Sequence, residues 1–78
     1  MTQVSLEFLV EPFVEGAPGP HVRAAVEAAE QAGLAVELGP FASVATGPVD
    51  TVADAVARLL REAFRSGATR VQLQVDRA

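Results

Sequence analysis

Glu7, Ser43 and Thr46 are the polar side chains whose surroundings could do chemistry, and the chemistry they suggest is recognition. Glu7 lies midway along the alternating stretch VSLEFLVE. Ser43 and Thr46 lie in GPFASVATGPVD, residues 39–50, where two Gly-Pro pairs bracket a short run of small and apolar residues that also holds Phe41. A carboxylate, an aromatic ring and hydroxyls on one surface could receive a cationic or aromatic small molecule. Catalysis has less to work with. A hydroxyl nucleophile needs a base within hydrogen-bond reach, and the only histidine, His21, stands far from Ser43 in sequence. His21 also falls at the start of a helix, where the macrodipole disfavours its protonated form. Cysteine is absent, which excludes disulfides and thiolate metal sites. Asp50 reads more simply as a helix cap than as a ligand group. No catalytic residue, metal site or cofactor is expected.

These side chains must be positioned by very little protein. The chain has 78 residues, one domain spanning residues 1–78. A domain of this size buries only about 60% of the surface its unfolded chain exposes, so self-association is a natural support. Ten acids against six bases, all arginine, leave a net charge of −4. Phosphate backbones are held by clustered Arg and Lys, so nucleic acid is not an expected partner. No basic segment precedes the first strand, where Glu7 and Glu11 interrupt any apolar run. No segment approaches the roughly 20 apolar residues of a membrane span. A soluble, cytoplasmic protein with no membrane partner is the expectation.

The periodicities give six elements. Val4, Leu6, Phe8 and Val10 share one face of a first strand that Pro12 ends, with Ser5, Glu7, Leu9 and Glu11 on the other. VEGAPGP reads as a loop. Pro20 opens a helix with Val22, Ala25, Val26 and Ala29 in its stripe, and Gly33 stops it. LAVEL is a short strand with Leu34, Val36 and Leu38 inward and Glu37 outward. It should form a hairpin with the bracketed strand. A second helix follows, capped by Asp50 or Thr51 with Thr51 and Asp54 as a loose capping box. Its stripe runs Val52, Val56, Leu59, Leu60, Ala63, Phe64, and Gly67 ends it. TRVQLQVDR is the last strand, with Val71, Leu73 and Val75 inward and Gln72, Gln74 and Asp76 outward. The order β-α-β-β-α-β predicts an α+β, ferredoxin-like domain: a four-stranded antiparallel sheet, two helices on one face, strands one and three central.

The face that the helices leave open should carry Ser5, Glu7, Leu9, Glu11, Glu37, Gln72 and Gln74. For the bracketed strand, the apolar pattern favours Val44 inward, with Phe41, Ser43 and Ala45 on the open side. Three uses compete: self-association through Leu9, Phe41, Ala45 and Glu37, a solvated face, and a ligand site. The residues by themselves favour them in that order. Arg70, at the head of the last strand, could neutralise Glu7 within an assembly.

The chain also resembles a known family, the thiamine-binding YkoF-like proteins. The likeness is carried by VSLEFLVEPF, by a first helix ending in AGL, by LGPFASVATGPVDTV and by SGATRVQLQVDR. The family's signature runs Pro-Met-Gly-Thr-x-x-Glu-Gly, followed by an Asp at the second helix. Pro40 matches the Pro, Phe41 stands for Met, Ala42 for Gly and Ser43 for Thr; Gly47 and Asp50 match in kind. Thr46 stands where the family usually has Glu, which bears on ligand identity. The resemblance implies a non-catalytic, homo-oligomeric module binding thiamine or its hydroxymethylpyrimidine moiety, with Ser43, Thr46, Phe41 and Glu7 as ligand contacts. The alternative is an assembly or regulatory module whose open face serves self-association alone.

Overall fold

The computed structural model describes residues 2–12, 19–40 and 42–78. Phe41 and most of the VEGAPGP loop lie outside the described residues. Six elements follow the predicted order: β1 (Gln3–Glu11), α1 (Pro20–Gln31), β2 (Val36–Leu38), β3 (Ser43–Pro48), α2 (Val49–Arg65) and β4 (Arg70–Arg77). They form one antiparallel sheet of order β2-β3-β1-β4 with β1 and β3 central, the ferredoxin-like α+β arrangement.

Each helix stops where the sequence supplies a residue that tolerates a left-handed backbone: Gly33 at φ +107° and Gly67 at φ +106°. Pro20 occupies the first turn of α1. Next to it, His21 is buried, and its Nε2–H donates to the Pro12 carbonyl at 2.6 Å, tying the end of β1 to the head of α1. The start of α2 departs from expectation. Its cap is Pro48 and makes no side-chain hydrogen bond, so the Asp50 or Thr51 cap is not formed. The reason is tertiary: the Val49 amide donates to the Thr2 carbonyl at 2.9 Å, and the chain's own start supplies the acceptor. Asp54 and Arg58 do pair across one turn, at 3.1 Å.

Val4, Leu6, Phe8 and Val10 face the helices and are buried, as the alternation requires. Phe8, Leu6 and Leu59 are the largest fully enclosed side chains, each contributing about 1.5–3 kcal/mol of apolar burial. Ala25, Ala29, Ala55 and Ala63 are wholly inaccessible. These methyl-sized positions let α1 and α2 approach each other and the sheet closely.

The register of β3 reverses the expected one. Leu6 pairs with Ala45, Glu7 with Val44 and Phe8 with Ser43. Residues opposite each other in an antiparallel pair share a face, so Ser43 and Ala45 point to the helices, at 5% and 3% exposure. Val44 and Thr46 point to the open side. The cause is space: beneath the two helices the central strand needs small side chains. Gly47 shows it, because a Cβ there would lie 2.8 Å from Leu34 Cδ2. At the margins the inward side chains keep their face but are not enclosed: Leu38, Leu73 and Val75 lie on the helix side, opposite Ser43, Phe8 and Leu6. Leu38, Phe64, Leu73 and Val75 are 61%, 51%, 38% and 47% exposed. Two helices cover the middle of a four-stranded sheet more completely than its two edge strands.

Candidate functional site

The open face can be read in rows from the pairing. One row runs Glu37, Val44, Glu7, Gln74, and the next Thr46, Ser5, Asp76. In the other direction Leu9 stands beside Gln72, and Glu11 beside Arg70. Thr46 is a diagonal neighbour of Glu7, about 7–8 Å away by ordinary cross-strand spacing. Of the residues expected here, Glu7, Thr46, Glu37 and Leu9 lie on this face. Ser43 and Ala45 do not, and Phe41 lies outside the described residues. Ser43 is thus a packing residue under the helices, kept small by the same closeness that excludes a Cβ at Gly47.

A depression of about 210 Å³ opens on this face, lined by Glu7, Leu9, Gln72 and Gln74 with Phe8, Leu73 and Ala42. Its polar equipment is one carboxylate with two carboxamides on the neighbouring strand, Gln74 opposite Glu7 and Gln72 diagonal to it. Gln72 donates from Nε2 to Glu11 at 2.9 Å, and Gln74 donates from Nε2 to Asp76 at 2.9 Å. Each carboxamide is thereby held by an acid on its own face, and among the described residues neither amide oxygen has a hydrogen-bond partner. Arg70 pairs with Glu11 at 3.5 Å rather than with Glu7. Among the described residues Glu7 makes no ion pair. The depression therefore presents a carboxylate available to a cation, beside fixed hydrogen-bonding groups. The sequence alternation VQLQVD had already turned both glutamines outward; what it lacked was the partner that makes them part of a site.

Among the described residues, other depressions of similar size lie elsewhere. One, about 220 Å³, lies between the helices and mixes Glu27 and Glu62 with Arg58 and Arg61. The other, about 270 Å³, has Val22, Val26 and Leu38 beside Arg23, Glu27 and Glu30. Both set charges of opposite sign side by side, two of each sign in the first and one arginine with two glutamates in the second.

Fold and face together define a ferredoxin-like α+β domain with an acidic, amide-bearing open sheet. The chain belongs to the thiamine-binding protein family, whose model matches residues 6–76. Among solved structures it is similar to a domain of unknown function, DUF77, from Bacillus cereus, with 26% identity and a TM-score of 0.71, covering 99% of this chain and 75% of that one. A hypothetical protein from Methanocaldococcus jannascii shares 23% identity at a TM-score of 0.73, over 100% and 80% of the two chains. A Thermotoga maritima protein proposed to act in thiamine biosynthesis or salvage shares 23% identity at a TM-score of 0.55, over 95% and 80%. The last two likenesses concern the fold. No curated protein matches the sequence. Among the described residues no helix is long and apolar enough to cross a membrane.

Proposed function

We propose that the open sheet face binds thiamine or its hydroxymethylpyrimidine moiety without catalysis, within a homo-oligomer. Family membership supports the ligand class. The observation that carries the site is the Glu7 carboxylate, without an ion pair among the described residues, opposite Gln74 and diagonal to Gln72 on an open depression. Thiamine combines a fixed thiazolium charge with an aminopyrimidine that both donates and accepts. Glu7 suits the cation or the amino group, and the carboxamide oxygens accept from the amino group. Thr46 offers a hydroxyl at the diagonal position, where the family's Glu would have added a second charge; Glu7 then carries the electrostatic share alone. Ordinary small-molecule pockets occupy roughly 300–1,000 Å³. The depression's volume of about 210 Å³ suits one ring, and the proposed homo-oligomer supplies the cover for the rest.

Calorimetric titration with thiamine and with the neutral hydroxymethylpyrimidine tests this. Saturable binding of thiamine is expected, weakened about tenfold by Glu7→Gln and by raised salt, with a smaller loss for the neutral compound. An unchanged thiamine affinity in Glu7→Gln, or no saturable heat from folded wild type, overturns the reading. The second outcome favours an assembly module whose open face, with Leu9, Val44 and Glu37, serves association only.

A further inference from the structure

α2 is apolar over a wider arc than its own fold encloses. At 3.6 residues per turn, with fully buried Leu59 at the centre of the inward face, Thr51, Arg58 and Glu62 lie on one flank of the helix. Ala53, Ala57, Leu60 and Phe64 lie on the other. The polar flank borders α1, where Arg58 and Glu62 share a depression with Ala24, Glu27 and Gln31. The apolar flank overhangs β4, on which α2 also packs. There Ala53 and Phe64 are exposed, and Ala57 and Leu60 are half-buried. One core asks for an apolar arc of about 100°. From Ala55 through Leu59 and Leu60 to Ala57, this arc is about 200°.

Two features give this surplus a shape. Ala53, Ala57, Leu60 and Phe64 recur at steps of four, three and four, the spacing by which one helix seats another. β4 supplies a floor, since Leu73 and Val75 lie on the helix side opposite Phe8 and Leu6 and remain partly exposed. Wall and floor make an apolar trough about 25 Å long, from 17 helical residues at about 1.5 Å each beside eight strand residues at about 3.3 Å. Ala53 and Ala57 leave it deep at the start of α2; Leu60 and Phe64 narrow it towards the end. Asp50 and Arg61 stand on its outer rim, three turns or about 16 Å apart, and neither makes an ion pair among the described residues. Their neighbours Asp54 and Arg65 are already paired, with Arg58 and Glu62.

We propose that this trough receives an amphipathic helix of a partner protein, laid antiparallel to α2 with its single apolar face inward. The trough specifies the occupant's chemistry. Large aliphatic side chains fit opposite Ala53 and Ala57, and small ones opposite Leu60 and Phe64. In the antiparallel orientation the occupant's first turn lies by Arg61 and its last by Asp50. Acidic residues early and basic residues late therefore meet both rim charges, an arrangement that also suits the occupant's own macrodipole. A parallel helix of that make would set acid against Asp50 and base against Arg61. A second copy of this chain cannot supply the occupant through α2. Its α2 overhangs its own β4 in the same way, so two strands, each about 4.8 Å wide, would hold the helices out of contact. The occupant is a helix that carries no strand beneath its apolar flank.

The probe is a labelled, end-capped peptide of about five helical turns, with glutamate in its first turn and arginine in its last. Along one face it carries alanines and then leucines. Fluorescence anisotropy measures its binding to the full chain, and amide chemical shifts locate it. Saturable binding is expected, with shifts at Leu60, Phe64, Leu73 and Val75 and none at Glu7. Phe64→Glu sets a carboxylate inside the trough at a half-exposed position and should weaken binding about tenfold or more. Circular dichroism confirms that this variant is folded. Arg61→Glu should weaken binding about threefold, and a peptide with arginine in place of its first-turn glutamate should regain that loss. The trough lies on the face opposite the Glu7 depression, so Glu7→Gln should leave peptide binding unchanged. No saturable binding, shifts elsewhere, or indifference to Phe64→Glu overturns the proposal. So does a dimer of the chain alone that Phe64→Glu dissociates, because a second copy then holds the site.

Discussion

Gly47→Ala tests the close approach that sets the face of β3. Gly47 is buried within the strand, not in a turn, and its backbone needs no left-handed conformation. An added Cβ would stand 2.8 Å from Leu34 Cδ2 and 3.9 Å from Val52 Cγ2. Carbon atoms pack at about 3.5–4.0 Å, so Leu34 must withdraw by about 1 Å. Leu34 is 4% exposed and hemmed in by the core, so its terminal methyl cannot swing into solvent. Overpacking of this kind costs about 1–3 kcal/mol. Replacing a mid-strand glycine returns about 0.5–1 kcal/mol of chain entropy. The net expectation is a loss of about 1–2 kcal/mol, against a total of about 4–12 kcal/mol for a domain this long. At about 4–8 °C per kcal/mol, the melting temperature should fall by about 5–15 °C. Urea and thermal denaturation followed by circular dichroism measure it. The decisive comparison is the same substitution in a Leu34→Ala background, where the vacated volume should accept the new methyl and remove the penalty. A penalty unchanged by Leu34→Ala, or a Gly47→Ala protein as stable as wild type, would refute the packing argument.

Two further outcomes follow from where the side chains lie. Ser43→Ala should leave thiamine affinity within about twofold of wild type, because Ser43 faces the helices; a tenfold loss in calorimetry would return Ser43 to the site. His21→Ala should lower stability by about 1–2 kcal/mol in urea titration, since it removes the donor to the Pro12 carbonyl. An unchanged midpoint would show that this contact holds nothing.

The amino-acid pattern by itself determined the elements and their order. The alternation in QVSLEFLVE assigned both faces of β1, because a half-buried strand has a period of two and its inward residues are large. Glu7, Leu9 and the outward glutamines could be named for the same reason. Glycine placement marked the helix ends, since only glycine adopts the left-handed backbone there without cost. Tertiary structure decided the rest. In SVATGP neither face is bulky, so local hydropathy favoured Val44 inward; the decision came from the volume under α1 and α2, which admits Ser43, Ala45 and Gly47 and turns Val44 and Thr46 outward. The cap of α2 was settled by the Thr2 carbonyl, distant in sequence. The exposure of Leu73 and Val75 depends on how far two helices reach across four strands, a matter of spatial coverage that no single strand's sequence encodes.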